Sequence, residues 1–412
     1  MKIAIISDLH LGYRQYGSLE REEDFYSQYL KCMRQIKENN PDLLIIAGDI
    51  FDKPNPSPKA MDVYRKGISL LNEIPIYAIT GNHTMLMRDN HYTVDNYFAE
   101  SGIENYHLID DTLISYDDIQ ISGIIYRADS DLESFKEALN DVTSQQGEKD
   151  FYILVIHQAI KEYCGFTGAE LSINDLKLDL YDLIICGHIH SPYFTEVNKG
   201  KTVFIQPGSI ERMNTTEAAD EIERGKGFVI FDTETNSTEF YEVESDRKFL
   251  LGDIEFNSLE DIENHFENLQ ETIQNLDLSP VVSYNYYDNT GSSPYIRECI
   301  KGLNGTLINN SNIYNLSEEL PVVEITDNEL PTVLEVIELK ASDYLDDKSK
   351  KLMKDIFNSY NNTKEEENIG GILDNFFKKR YDHSDIVEDS EIKEMKKEIK
   401  EYEDFFNNLG ES

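Results

Sequence analysis

Cysteine is scarce in this chain. Cys32, Cys164, Cys186 and Cys299 are its four cysteines, spread over 412 residues with no CxxC pair. Such spacing offers neither a disulfide framework nor a thiolate zinc site, and it suits a reducing compartment. Cys186 lies inside the apolar run DLIIC and reads as a small core residue. Long apolar runs are missing as well, since none approaches the roughly 18–20 residues of a membrane span. The opening MKIAIISDLH enters a buried-strand pattern at once, without the apolar region and cleavage site of a signal peptide. The expectation is a cytoplasmic, nucleoid-associated prokaryotic protein with no membrane partner. Positive charge is the third shortage. Lys and Arg total 38 against 79 Asp and Glu, for a net charge of −41. A surface this acidic repels polyanions and by itself argues against nucleic acid. Bound cations and local Lys or Arg groups can still reverse the sign inside one cleft.

What is present suffices for a sizeable core: 40% hydrophobic and 11% aromatic residues. The length predicts two or three domains. Over residues 1–243, short apolar runs alternate with helix-like stretches such as 23–39 and 59–72. The runs KIAII, DLLIIA, IPIYAIT, FYILVI and YDLIIC read as buried strands, and the alternation argues for a layered α/β domain. TVFIQPGS, GFVIFDTE and STEFYEVE add β-like pieces. The pattern then changes. Residues 244–340 read as a small α+β unit, with strands FLLGDIEF, SPVVSYNYY and PVVEI and helices near 259–276 and 297–303. Residues 341–412 are charged and helical, with apolar stripes that include Phe376, Phe377, Phe405 and Phe406.

The informative feature is where metal-competent side chains fall. Asp8 and His10 follow KIAIIS, Asp49 follows LLIIAG, and Asn82 and His83 follow IYAITG. His157 follows YILVI, and His188 and His190 follow DLIICG. Five predicted strands therefore release such residues at their carboxyl ends, where open α/β sheets bind ligands. Taken singly, each signal is weak: Gly-Asp marks turns, and a lone histidine after a strand is more often a satisfied core residue. Their number, order and placement make one rim-mounted site. Oxygen and imidazole donors without thiolate favour octahedral Mn²⁺, Fe²⁺ or Zn²⁺. Two cations about 3.5–4 Å apart, bridged by a carboxylate, would activate water and neutralise phosphoryl charge. The reaction expected is phosphoester hydrolysis.

The ordered set DLH, GDIFD, GNH, IHQ and GHIH resembles the calcineurin-like metallophosphoesterases. Within them, HLG, GDIFD, IHQ and QPGSIER resemble the double-strand-break repair nucleases of the meiotic-recombination-eleven family, called SbcD in bacteria. The likeness covers residues 1–240, and the α+β unit is similar to that family's capping domain. It implies a layered metallophosphoesterase sandwich, β-sheets flanked by helices, with a small α+β cap and a helical C-terminal tail. It also implies that Asp8, His10 and His190 hold one ion, that Asn82, His157 and His188 hold the other, and that Asp49 bridges them. His83 would act on the scissile phosphate. The implied activities are manganese-dependent 3′→5′ exonuclease and single-strand endonuclease. The implied partners are DNA, a second copy bound through helices near 62–72 and 89–100, and an SMC-like ATPase of the Rad-fifty or SbcC type that docks on residues 341–412.

Two departures stand out. The family commonly has Asp after Gly-Asn-His, where this chain has Thr84. Asp52 stands where some archaeal members carry a second histidine, and its simplest reading here is a turn residue. Arg14, Lys53, Arg88 and Arg127 lie in or near motif loops as candidate DNA contacts. Other readings remain open at this point: another calcineurin-like diesterase, or a non-catalytic scaffold for an ATPase.

Overall fold

The computed structural model describes residues 1–85, 92–164, 169, 171–214 and 225–317. The chain begins with β1 (Lys2–Ile6), α1 (Leu19–Glu38), β2 (Leu43–Ile46), α2 (Pro58–Ile68), β3 (Ile76–Ala78), α3 (Val94–Glu100) and β4 (Tyr106–Leu108). It continues through β5 (Thr112–Tyr116), β6 (Ile119–Ile124), α4 (Leu132–Ser144), β7 (Phe151–His157) and β8 (Leu183–Gly187). β9 (Tyr193–Val197), β10 (Thr202–Gln206), β11 (Gly227–Asp232) and β12 (Ser237–Glu242) complete the larger body. The smaller α+β unit holds β13 (Phe249–Phe256), α5 (Leu259–Gln274), β14 (Val281–Asp288), α6 (Ser293–Gly302), β15 (Ile308–Asn309) and β16 (Asn312–Asn315).

Two six-stranded sheets make the body, in the orders β12-β11-β1-β2-β3-β4 and β5-β6-β7-β8-β10-β9. In each sheet the four strands that run β1-β2-β3-β4 or β6-β7-β8-β10 are parallel; antiparallel pairing adds β11 and β12 beyond β1 in the first sheet and β5 and β9 at the two edges of the second. Ile3, Ile5, Leu43 and Ile45 of the first sheet pack against Ile121, Ile153, Val155, Ile185 and Ile205 of the second. Outward residues Ile6, Leu44 and Ile46 meet Tyr29, Met33 and Tyr64 of α1 and α2. Leu154, Ile156, Ile184 and Cys186 meet Phe135, Leu139 and Val142 of α4. Strands covered on both faces read as unbroken apolar runs, which is why they were legible. The five expected strand ends belong to two facing sheets rather than one, so the site forms where the carboxyl edges of both layers meet.

Boundaries shift for local reasons. α1 starts at Leu19, ahead of the expected 23, because the Ser18 hydroxyl accepts from the Arg21 amide as an N-cap. α2 tightens at Ile68 into a 3₁₀ turn, Ser69–Leu71. In the smaller unit, β13 to β16 pair in parallel and α5 and α6 cover one face through Ile262, Phe266, Leu269 and Ile296. The described residues all fall in one compact unit, so body and cap, which the sequence divides at 243, sit on one another. The expected PVVEI strand, the cap's end at 340 and the tail with Phe376, Phe377, Phe405 and Phe406 lie outside the described residues. Among the described residues no helix is long and apolar enough to cross a membrane. The four cysteines form no disulfide, and Cys186 is buried as its run suggested.

Charge ties cap to body. Arg247 Nε and Nη2 donate to the two Asp24 oxygens at 2.5 and 3.1 Å, and Arg21 Nη1 reaches the same carboxylate at 2.6 Å. All three side chains are buried. Removing one partner from a buried network strands the others, at a typical cost of about 3–5 kcal/mol. Asp24→Ala is therefore expected to lower unfolding stability by roughly that amount. Denaturant titration checks it; a loss under about 1 kcal/mol would mean that water already screens the pair.

Candidate metal centre

The loops after β1 and β2 are zipped together beyond the strands. The amides of Asp8, His10 and Leu11 donate to the carbonyls of Gly48, Asp49 and Ile50 at 3.2, 3.0 and 3.0 Å. This holds Asp8, His10 and Asp49 at φ of 51, 43 and 47°, and His188 sits at 89°. Left-handed backbone at non-glycine residues costs energy, and it persists where surrounding bonds over-determine it, commonly at functional sites. His188 is fixed by its amide, which donates to both Asp8 oxygens at 3.2 Å. Glycines make the close approach possible. A Cβ on Gly48 would lie 2.3 Å from His157 Nδ1, and one on Gly187 would lie 2.0 Å from the Ala47 carbonyl.

The structure brings Asp8, His10, Asp49, Asn82, His83, His157, His188 and His190 into one cluster. Asp8, His10 and His190 form one compact group, and Asp49, His157 and His188 form another. His10, Asp49 and His83 form a third that overlaps both. In the first group the His10 and His190 Nε2 atoms face each other at 3.2 Å, and both stand about 4 Å from Asp8 Oδ1. In the second, Asn82 Oδ1 lies 3.0 Å from both His157 Nε2 and His188 Nδ1. Asp49 Oδ2 lies 3.1 Å from His157 Nε2 and 4.0 Å from His10 Nε2, so this carboxylate reaches both groups. Two imidazole nitrogens that face each other repel unless a proton or cation lies between them. That arrangement, with two carboxylates and an amide oxygen, fits hard or borderline divalent cations.

Electrostatics point the same way. Burial pushes His188 down to about 3 and holds His10 well below the usual imidazole range, so both present neutral, ligating nitrogens. Burial alone would lower His157, but Asp49 and Asp8 outweigh it and hold the imidazole up at about 9. Burial raises the Asp8 carboxyl. It works against the Asp49 carboxylate too, yet His157, His10 and His83 prevail and hold Asp49 below the usual carboxylate range. His157 Nδ1 faces the Ala47 carbonyl at 2.7 Å, which turns Nε2 to the site.

His83 differs from the other imidazoles. Its Nδ1–H donates to the Asp52 carbonyl at 2.9 Å, and its amide donates to Asp49 Oδ1 at 2.9 Å. Its side chain is 36% exposed, whereas those of His10 and His157 are 0% exposed. Asp52 thus backs His83 with its carbonyl, beyond the turn role read from sequence. Thr84 is buried and its hydroxyl donates to Asp95 Oδ2 of α3 at 2.5 Å. A carboxyl therefore does lie under this loop, supplied from α3, and burial pushes it up to about 7. Thr84→Asp would press a second buried carboxylate against it and is expected to cost on the order of 3 kcal/mol. A thermal or chemical unfolding midpoint unchanged by Thr84→Asp would contradict that environment.

Tyr126 was missed. It follows β6, and its ring lies 5.5 Å from that of His188 and 6.4 Å from that of His157. A sixth strand end was its signal, but β6, IQISGI, interleaves Gln, Ser and Gly with its isoleucines and so does not stand out as an apolar run. The candidate DNA contacts fare unevenly. Arg14 pairs with Glu22, and Arg127 pairs with Asp111 at 2.6 Å. Lys53 is exposed, and Arg88 lies outside the described residues.

The Calcineurin-like phosphoesterase family model matches residues 1–192. The DNA double-strand break repair protein Mre11 of Methanococcus maripaludis is 30% identical over 290 residues, 67% of this chain and 74% of that protein. The protein of the same name from Archaeoglobus fulgidus is 32% identical over 300 residues, 65% of this chain and 64% of that one. An SbcCD nuclease subunit from Staphylococcus epidermidis is 28% identical over 271 residues, 57% of this chain and 67% of that protein.

Proposed function

The chain belongs to the Mre11/SbcD family of calcineurin-like phosphoesterases, and from that membership and the geometry of its site we propose that it is a two-metal DNA nuclease of double-strand-break repair. The observation that carries the reading is the pair of donor groups joined by Asp49. Asp8, His10 and His190 would hold one cation, Asn82, His157 and His188 the other, with Asp49 between them. Two divalent cations, for which manganese suits the donor set, would activate water and neutralise the phosphoryl oxygens.

The chain's own residues do the rest. The buried imidazoles and carboxylates arrive pre-ordered by the zipped loops, so little reorganisation is needed at the moment of reaction. His83, held through Nδ1, offers Nε2 at the exposed side of the cluster, where it can contact the scissile phosphate and, as the imidazolium, hand its Nε2 proton to the leaving oxygen and become neutral. The resemblance supports 3′→5′ exonuclease and single-strand endonuclease products, a homodimer and an SMC-like ATPase partner. α2 and α3 are the expected dimer elements, and Tyr92 and Tyr97 in or beside α3 are 54% and 47% exposed. Deleting residues 341–412 is expected to abolish ATPase co-purification and leave manganese-dependent cleavage intact. Unchanged co-purification would remove the tail's assignment. The nuclease reading itself is tested by metal-dependent digestion of duplex DNA beside a chromogenic diester.

Cation binding should be linked to protons. His157 must lose the proton it carries below about 9 before Nε2 can ligate. Manganese affinity should therefore rise about tenfold per pH unit between pH 6 and 8, with about one proton released. Calorimetry in buffers of different ionisation enthalpy measures this; a pH-independent affinity would contradict it.

A further inference from the structure

Beyond the metal cluster, the junction of body and cap encloses a second polar cavity of about 400 Å³. Its walls carry Arg212, Lys226, Ser245, Arg247, Lys248 and Phe249. Four of these are cations, against two acidic residues in the same lining, Glu242 and Glu244. Two of the four are matched, Arg247 by Asp24 and Lys248 by Glu244, so in a chain of net charge −41 the lining is locally enriched in cations. The volume lies within the roughly 300–1,000 Å³ of small-ligand clefts.

The cations are held in place rather than merely gathered. Lys226 is 2% exposed, and its Nζ donates to the Ser209 hydroxyl at 2.8 Å and to the His190 carbonyl at 3.0 Å. The cavity is therefore one residue away from the metal cluster. Arg247 is fixed by Asp24 and by the Ser279 carbonyl. Arg212 and Arg21 lie on the Phe249 ring, with guanidinium carbons 5.7 and 4.9 Å from its centroid. Two donors stay unused. Arg212 Nε and Ser245 Oγ are buried without a hydrogen-bond partner, and Ser245 is 6% exposed. Among the described residues no carboxylate is within ion-pair distance of the Arg212 guanidinium. Burying such donors unsatisfied is costly, so native structures seldom do it without a ligand or water to supply the acceptor.

We propose that this cavity is a phosphate-binding subsite for a nucleotide unit, separate from the phosphate that is cleaved. Arg212 and Ser245 supply the direct donors, and Lys226, Arg247, held by Asp24, and Lys248, held by Glu244 at the mouth, are the cations around them. The nucleotide is either part of the DNA strand, which rests on the nuclease reading above, or a free mononucleotide.

The test uses the full chain with calcium in place of manganese, to hold DNA uncleaved. Anisotropy of a fluorescent single-stranded oligonucleotide gives strand affinity and its salt dependence, and calorimetry with dAMP gives affinity for the free nucleotide. Arg212→Gln and Lys248→Glu are compared with wild type. Lys248 is a half-exposed rim residue, so its variant stays informative if Arg212→Gln is unstable. A strand occupant predicts about tenfold weaker oligonucleotide binding in each variant and a salt slope shallower by about one. A free-nucleotide occupant predicts the same loss for dAMP with oligonucleotide affinity unchanged. If neither probe loses affinity in either variant, or wild type binds neither, the subsite is overturned. Failure of the nuclease reading shows separately, as wild-type chain that does not cut DNA with manganese.

Discussion

Replacing His83 with alanine is expected to slow DNA cleavage by about 10²–10⁴-fold while leaving both cations bound. The expectation rests on what alanine removes and what it keeps. The His83 amide, which donates to Asp49 Oδ1 at 2.9 Å, survives the change, so the carboxylate stays oriented. The imidazole is 36% exposed, against 21% for His190 and 0% for His10 and His157, and its Nδ1 is committed to the Asp52 carbonyl. It is therefore placed to act on substrate through Nε2. Yet His83 also belongs to a compact group with His10 and Asp49. Metal stoichiometry separates the roles. Full metal content with slow cleavage supports the substrate role; loss of a cation would make His83 a ligand.

The second large effect falls on Asp49. Asp49→Asn preserves the side chain's shape and an acceptor for the His83 amide but removes the charge shared by the two donor groups. Manganese affinity is expected to fall by at least about 100-fold, a bound set from the effect of losing even indirect ligand support. Cleavage should fall with it at any manganese concentration that saturates wild type. The same change strips His157 of its main counter-charge, so proton release on metal binding should shrink as well. Wild-type affinity for both cations in Asp49→Asn would remove Asp49 from the bridge.

Much of this was legible in the sequence because of burial on two faces. β1, β2, β7 and β8 lie between a facing sheet and a helix layer, so their apolar runs are unbroken and their ends are sharp. The ligand-type residues could be read directly after them. β4, β5 and β9 lie at the sheet edges, with partly exposed residues such as His107, Ser115 and Glu196, and they carry no such run. That five strand ends meet across two sheets was not legible, because pairing partners such as β8 with β10, and β1 with β11, are long-range facts. Nor was the support beneath the site: Asp95 reaches Thr84 from a helix eleven residues on, through contact and not through a motif. Arg212 was quoted only as part of QPGSIER. Its neighbours in the cavity, Lys226 and Arg247, come from separate segments that folding alone brings together.

The net charge of −41 is the property that sits least easily with a DNA substrate. The structure gives it a local answer. Arg14 and Arg127 are matched by carboxylates, as are Arg247 and Lys248 of the cavity, while the metal cluster gathers sites for cations and the cavity adds Arg212 beside it. Productive contact with DNA should then depend on the bound metals. The most direct test is digestion of 5′-end-labelled duplex DNA by the full chain, with manganese and with chelator. The predicted result is a ladder that shortens from the 3′ end with manganese and intact DNA with chelator. A manganese-loaded chain that hydrolyses a small chromogenic diester but leaves the duplex whole would contradict a DNA nuclease.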